Sequence, residues 1–600
     1  MFSRSSFLSL LLLGWMGSPP FQGLEAAVLD VKAQGAKGDA VMCRAGTLAG
    51  SPLITLQQTG GLRPTPGMLV MIDGAGAPST VASQDYLGKV LKVRESGSLE
   101  VHPAPGTSVT NARALIGSDD APAFQHCVDQ CSGPSSVISI PEGRYLLVPR
   151  QLLDPGYVMK SPYQSSPAVM IRKGGIRFSG KERKSTVLTA CGAWQLKGPY
   201  VSRGQLFECR GPVRDDAPLI FENLTLDGGV AQGRQEYRGF PARTTDGEGW
   251  DVTHDAVMDT GTPPLHRFKA FRNCSFLHWR GEMLKSVSDW NGGFVEVTGC
   301  RFKDGNSSAF NFSFSHRIDG CLFRQLDMAM EFYEGRMESP SVFQNSTVSD
   351  VRGDLVIVGA LTNHPAPSYS ILNNTLQSKG GFGVLLGPAE NVVIRGNRFS
   401  DQSFAVGTGA GYQGTACNRN LFITSNACAG VNSLLLVQGV GPDRMEDVHV
   451  TGNTMSGGGI LGYGWGWSTN VVFSGNVAAG GRGGFDGTRL TGQWFTDDLS
   501  NRHSSQLDVN WNAPVATVSY ATGAKHKLLA ARPDSLFRLD DSHPEKIPRN
   551  AVLSLKCQGS RPAKVFLSSA RDNAECLTLQ PGTSRSFCWD GLCWQTQPNL

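Results

Sequence analysis

The chain has no apolar run long enough to span a bilayer, no strong charge of either sign and no metal-type spacing of cysteine or histidine. Each absence removes a class of function. The apolar stretch from Phe7 to Met16 is too short for a spanning helix, and no later stretch qualifies. The 55 basic and 51 acidic side chains leave a net charge of +4, with no basic run or aromatic-interleaved patch, which argues against a nucleic-acid partner. No Cys-x-x-Cys or His-x-x-x-His pair stands anywhere, which argues against a zinc site. Charged residues are also scarce, at 18%, while 72 of 600 residues are glycine and 40% are hydrophobic. That balance fits a turn-rich β protein with a large core.

The first 26 residues have the form of a secretory signal. Arg4 precedes the apolar run, Pro19 and Pro20 follow it, and Leu24-Glu25-Ala26 offers a cleavage site. The mature protein is therefore expected to be exported, to the periplasm or outside the cell. Export permits disulfides among the 14 cysteines. Cys557, Cys576, Cys588 and Cys593 are expected to pair among themselves, and Cys191 with Cys209 and Cys417 with Cys428 are further candidates.

From about Asn273 to Gly484 one short phrase returns, exemplified by Asn273-Cys274-Ser275-Phe276, Gly396-Asn397-Arg398-Phe399 and Gly475-Asn476-Val477-Ala478. Its second residue is Cys at 274, 300 and 321, Ser at 346, and Asn at 374, 397, 426, 453 and 476. A fixed residue class recurring every 21 to 29 positions marks a stacked-repeat architecture. The units carry short β segments before Gly/Asn turns, and the variable step suits coils with loops better than propeller blades. The expected fold is all-β, a single-stranded right-handed parallel β-helix whose recurring asparagines form an internal ladder. The three cysteines are expected to be small reduced core residues, and the asparagines to take the left-handed backbone of the bend.

Three phrases mark the start. Gly35-Ala36-Lys37-Gly38-Asp39 is followed, after an interval, by Gly117-Ser118-Asp119-Asp120-Ala121-Pro122-Ala123-Phe124-Gln125 and by Val137-Ile138-Ser139-Ile140-Pro141-Glu142-Gly143-Arg144-Tyr145. Together they resemble the opening of the pectate-lyase superfamily. That resemblance implies a cap in which a strand and a helix, with Asp119 or Asp120 as its N-cap, plug the open end of the coil. It covers roughly 28–490. The expected organisation is a signal at 1–26, a β-helix over 27–504 with a small β module inserted at 40–116, and a C-terminal β cap or module over 505–600.

The register also nominates a site. Aligning the apolar residue of successive rungs gives Leu284-Lys285, Phe310-Asn311, Met330-Glu331 and Val356-Ile357. Strand alternation then points Lys285, Asn311 and Glu331 outward on adjacent rungs about 4.8 Å apart, with Tyr333 on the same face and Glu334 and Arg336 in the next turn. One long polar loop, 229–264, leaves the coil just before them, carrying Trp250, His254, Asp255 and Asp259. Such a face suits a polysaccharide. Glu331 is the candidate acid or base, with Asp354 or Glu334 as the second carboxylate of a glycoside hydrolase. Lys285, Tyr333 or His254 would instead serve as base in a polysaccharide lyase, with Ca²⁺ as a possible cofactor. No cofactor is otherwise expected. Neither the Asn-Thr-Asp, Asp-Asp and Gly-His-Gly pattern of polygalacturonase-type hydrolases nor the acidic Ca²⁺ set of pectate lyases is present, so hydrolysis, elimination and non-catalytic glycan binding all stay open, hydrolysis slightly favoured.

Overall fold

The computed structural model describes residues 27–597 apart from 77–84, 132–134, 155–166, 191–194, 211–216, 230–253, 260–267, 287–292, 334–339, 361–365, 409–416, 439–443, 481–484, most of 487–535, 540–546, 558–560, 568–575 and scattered single positions and pairs. The proposed signal segment and the residues Trp250, Glu334 and Arg336 lie outside the described residues, as does the side chain of Tyr333.

Three long parallel sheets wind around one apolar core, as the repeat predicted. A turn of the coil is visible in Ala389–Arg395, Arg398–Ser400 and Phe404–Thr408, each strand belonging to a different sheet. We call the three the side, back and front sheets, of 15, 13 and 17 strands among the described residues. Parallel strands joined in this way take the right-handed crossover, so the coil is a right-handed β-helix. Apolar side chains stack inside it rung on rung: Phe178 on Phe221 at 4.8 Å, Phe221 on Phe271 at 5.3 Å, and Phe276 on Phe302 at 4.7 Å.

The corner between side and back sheets holds the asparagine ladder. Asn374 donates its backbone N–H and its amide Nδ2 to Asn397 Oδ1, at 2.9 and 3.0 Å. The same pair of bonds links Asn397 to Asn426, Asn426 to Asn453 and Asn453 to Asn476. Each Nδ2 from Asn374 to Asn476 also donates to a backbone carbonyl of the preceding strand. The buried amides are thus satisfied by one another, which is what allows them in a core. Ser346 continues the ladder, its Oγ accepting the Cys321 N–H at 3.1 Å, and Cys300 Sγ lies 3.4 Å from the Cys274 N–H. The left-handed backbone, however, belongs to the residue before each rung residue: Asn273, Asn345, Asn373 and Ser425 have φ of 51–55°, and Gly299, Gly320, Gly396, Gly452 and Gly475 fill the same place. Ladder asparagines are there for their amides; the preceding residue makes the bend.

At the N-terminal end the helix Ala121–Gln130 turns Phe124, Cys127 and Val128 into the core and closes the coil. Asp119 and Asp120 divide the work differently from a simple cap. Asp120 occupies the N-cap position, but its carboxylate accepts the Lys37 and Gly38 N–H groups at 2.6 and 3.1 Å, while Asp119 serves the Ala121 N–H. Asp39 accepts from both the N–H and the hydroxyl of Ser118. The two halves of the opening phrase are therefore bonded together although a closed six-stranded barrel, Val41 to Gly117, stands between them. An insertion whose ends meet leaves the cap undisturbed.

Parallel pairing runs past residue 504. Leu507–Trp511, Ala524–Leu528 and Val552–Cys557 extend the front sheet in parallel, and the antiparallel strands Ser584–Trp589 and Trp594–Thr596 finish it. Reversal of strand direction closes the growing edge. The expected C-terminal disulfides do not form: Cys557, Cys576, Cys588 and Cys593 are free thiols, Cys557 buried in the terminal core. Cys274, Cys300 and Cys321 are reduced and buried as expected.

Replacing Asn397 by Ala should cost about 2–4 kcal/mol, because it leaves the buried Asn374 N–H and one of its two amide hydrogens without an acceptor. Asn397→Ser should cost less, since Ser346 already bridges one rung. Thermal or denaturant unfolding of the two variants checks the order.

Candidate active site

Sequence register and structure agree on the ladder. Lys285 pairs with Asn311, and Asn311 with Glu331, on the strands Leu284–Ser286, Ser308–Phe312 and Met328–Tyr333 of the front sheet. Glu208 and Met258 precede them in the same outward column, and Ile357 and Leu385 follow. Phe310, Phe312, Met330 and Phe332 face the core between these residues.

A second column runs along the edge where the chain enters this sheet. There the alternation is broken, because two successive residues in each rung face inward: Ala256-Val257, Met283-Leu284, Ala309-Phe310, Ala329-Met330 and Leu355-Val356. The hydrogen bonds record the bulge, since Ala329 and Met330 both donate to the Leu355 carbonyl, as Ala256 and Val257 do to that of Met283. The residue ahead of each pair forms the edge column: Asp255, Glu282, Ser308, Met328 and Asp354. Glu282 was not among the sequence candidates, yet it is the centre of the site. Its Oε2 lies 3.2 Å from Lys285 Nζ, and its Oε1 accepts from Asn311 Nδ2 at 3.4 Å. Only 2% of Glu282 and 6% of Glu331 is exposed, so both carboxylates stand largely out of bulk water. Ser308, on the rung of Asn311, is buried with its hydroxyl unpartnered, and the Oε1 of Gln205 is likewise unpartnered. A buried hydroxyl without a partner costs about 1–3 kcal/mol, a cost that recurs in native proteins chiefly where a ligand or water completes the bond.

The remaining candidates divide. His254 and Asp255 stand where the long loop rejoins the coil. His254 Nδ1 accepts the Arg280 N–H at 3.1 Å with its ring 4.9 Å from Trp279, and Gln205 Nε2 lies 3.5 Å from Asp255 Oδ2. Asp354 is in the edge column, but its Oδ1 accepts the Phe382 N–H at 2.9 Å, and burial raises its carboxyl above the usual range. That bond ties it to the next rung, and it stands one rung from Glu331. Asp259 is a correction. It ends the strand Val257–Asp259 on the inward side, sharing a column with Cys209 and Ser286, and it forms a buried ion pair with Lys269 at 2.5 Å. A small cavity is lined by this pair together with Lys285, Phe271, Val295 and Phe312. Strand parity with Val257 already implied the inward direction. Tyr333 ends its strand opposite Ala360.

The inserted barrel reaches this region. Its Asp85 holds Arg280 at 3.1 Å, and its Arg113 donates to the Gly229 carbonyl at 2.9 Å and pairs with Asp73 at 3.2 Å. Burial, then the Asp85 charge, pushes the Asp73 carboxyl up to about 6 against the opposing pull of Arg113. The module thus braces the segment that carries His254.

A further cluster at the base of the long loop joins the back sheet. Asp227 accepts from Arg144 at 3.0 Å and from the Gly229 N–H at 3.0 Å, and it lies 3.0 Å from His278 Nδ1. Burial alone would raise its carboxyl; the hydrogen bond and charge of His278, with Arg144, outweigh this and hold it well below the usual range. Among the described residues no group of three or more His, Cys, Asp and Glu is placed to hold a metal ion.

Because the folded carboxyl of Asp227 is depressed, its stabilisation is present above the ordinary aspartate value near 4 and is lost as pH falls below it. Unfolding measured from pH 7 down to pH 3 should therefore show a steeper acid loss for the native chain than for Asp227→Asn.

No known family profile matches the sequence, and no curated protein does. Solved structures do. The A-module of a mannuronan C-5 epimerase from Azotobacter vinelandii is similar at 17% identity, over 64% of this chain and 95% of that one, with a TM-score of 0.38. The catalytic domain of a GH87 α-1,3-glucanase in complex with nigerose is similar at 10% identity, over 78% and 100%, with a TM-score of 0.36. The catalytic unit of a thermostable GH87 α-1,3-glucanase from Streptomyces thermodiastaticus is similar at 10% identity, over 84% and 92%, with a TM-score of 0.27. At these values the fold rests on this chain's own sheet topology, and the site on its own residues.

Proposed function

We propose that the chain is an exported polysaccharide-cleaving enzyme that works on a glycan laid along the front sheet, with hydrolysis as its reaction. The observation that carries this reading is the placement of Glu282 and Glu331 two rungs apart on one face, with Asn311 and the unpartnered Ser308 hydroxyl on the rung between. Two rungs correspond to roughly 9–10 Å. Glu282 leans toward Glu331, since it meets the Asn311 amide, and an inverting mechanism calls for carboxyl groups about 6.5–9.5 Å apart with a water between them.

In this scheme Glu331 gives its proton to the glycosidic oxygen as the bond from that oxygen to the anomeric carbon breaks. Glu282, oriented by Lys285 and Asn311, takes a proton from a water whose oxygen bonds to the anomeric carbon from the opposite side. Lys285 is then a positioning residue, because its ammonium is the donor in the ion pair with Glu282. Ser308 and Asn311 supply hydrogen bonds to sugar hydroxyls.

Charge favours hydrolysis over elimination. Over the rungs from Glu208 to Asp354 the described residues of the two outward columns include the acids Glu208, Asp255, Glu282, Glu331 and Asp354 and a single cation, Lys285; the next cations of the outward column, Lys527 and Lys556, stand beyond Asp486. A uronate chain, the substrate of a lyase, would meet like charge along this face. A neutral glycan would not.

Incubation with a panel of neutral and uronate-containing polysaccharides should release reducing ends from a neutral chain without the absorbance of an unsaturated uronate. Glu331→Gln should lower turnover by about two to four orders of magnitude while glycan binding persists, as loss of a general acid does. The anomeric configuration of the first product, followed by NMR, should be inverted. Reducing ends accompanied by the unsaturated-uronate band would replace this reading with elimination, and binding without cleavage would replace it with a binding protein.

A further inference from the structure

Beyond Asp354 the edge column changes character. Its next two members are Phe382 and Phe404, paired across adjacent rungs, with ring centroids 5.1 Å apart and planes at 24°. Both are half-buried, whereas Val384, Leu386, Ala405 and Val406 on the same strands are fully buried in the core. The ring of Phe382 lies across Gly407 in the neighbouring outward column. A Cβ at Gly407 would come within 2.1 Å of Phe382 Cε1 and 2.3 Å of Cδ1. The backbone of Gly407 is not left-handed, so glycine is required there for room: it leaves the space that the Phe382 ring occupies. Asp354 fixes the approach through the Phe382 N–H. The register Glu331–Ile357–Leu385–Gly407 sets this pair two to three rungs past Glu331, roughly 10–14 Å along the coil.

We propose that Phe382 and Phe404 form a stacking platform for a neutral pyranose unit of the glycan, several sugars away from the bond that is cut. This rests on the front sheet being the glycan face. A pyranose presents a ring face of C–H bonds and a rim of hydroxyls. The C–H face is matched by a flat aromatic surface, while the rim stays wet or reaches polar neighbours. The same outward columns carry the acidic reacting groups and, a few rungs further along, the platform, so an extended chain lying along the coil meets both. Binding energy gathered at the platform is available for orientation at Glu282 and Glu331. The enzyme should then prefer chains long enough to reach from one to the other.

Oligosaccharides of graded length, prepared from the polysaccharide that the enzyme cleaves, test this with Phe404→Leu and Phe404→Tyr. Leucine keeps an apolar side chain but removes the flat ring; tyrosine keeps the ring. Phe404→Leu should lower the ratio of long-chain to short-chain kcat/KM by about three- to tenfold through KM, and Phe404→Tyr should retain it. The same ordering should appear in long-chain affinity measured on a Glu331→Gln background. If Phe404→Leu leaves the long-to-short ratio as it is, or weakens short and long chains alike with a lowered Tm, the platform is only packing and the proposal falls. If Glu331→Gln retains turnover while Phe404→Leu shortens the effective site, the platform stands and the catalytic assignment falls. A wild-type chain that binds no glycan overturns both.

Discussion

The outer face of this protein depends on one hydrogen bond made repeatedly at an inner corner. Each ladder carbonyl accepts the backbone N–H of the rung before it, from Asn476 back to Asn374 and on to Ser346. That bond permits no slip of one rung against the next, because a displaced amide would be buried without a partner. With the corner fixed, the register of the front sheet follows, and side chains from distant parts of the sequence are held in columns a rung apart. Lys285, Asn311 and Glu331 are neighbours in one such column although 26 and 20 residues separate them in sequence, and at the corners of their rungs Cys274, Cys300 and Cys321 continue the ladder positions.

A rigid ruler of this kind suits a substrate that is itself a repeating chain. The front sheet supplies acidic groups within a few rungs and aromatic surface further along, on its strands and at the turns that lead into them. What surrounds the site is also anchored. The barrel inserted between Asp39 and Ser118 reaches the corner through Asp85 and Arg280, and Arg280 in turn offers its N–H to His254. An insertion at the cap therefore ends beside the chemistry, even though the cap itself is undisturbed.

How much of this was legible in the sequence depended on whether a residue's neighbours constrained it. The ladder could be read because a buried amide needs another amide one turn away, so the residue type had to recur. The Lys285–Asn311–Glu331 register could be read from the apolar residue before each. Glu282 could not be found by strict alternation, which turns it inward. The bulge that turns it outward was written in the sequence as an apolar pair in each rung, such as Met283-Leu284 and Ala309-Phe310, a signal that alternation alone overlooks. Asp259 shows the opposite error, a polar residue assigned to the surface although its parity with Val257 places it inside, opposite Lys269. The left-handed bends were misassigned by one residue, since asparagine suits both the bend and the ladder and the sequence does not say which. The free C-terminal thiols show that cysteine count and compartment do not determine pairing, which needs geometry.

The account holds that a glycan lies along the front sheet and is cut between Glu282 and Glu331. The most direct measurement is a crystal structure of Glu331→Gln with an oligosaccharide of the cleaved polymer. The account predicts sugar rings following the coil axis, one glycosidic oxygen within hydrogen-bond distance of the side chain at 331, a water held by Glu282 on the far side of that ring, and a more distant ring over Phe382 and Phe404. A glycan bound across the back or side sheet, or on the front sheet with Glu282 and Glu331 both distant from any glycosidic bond, would contradict it.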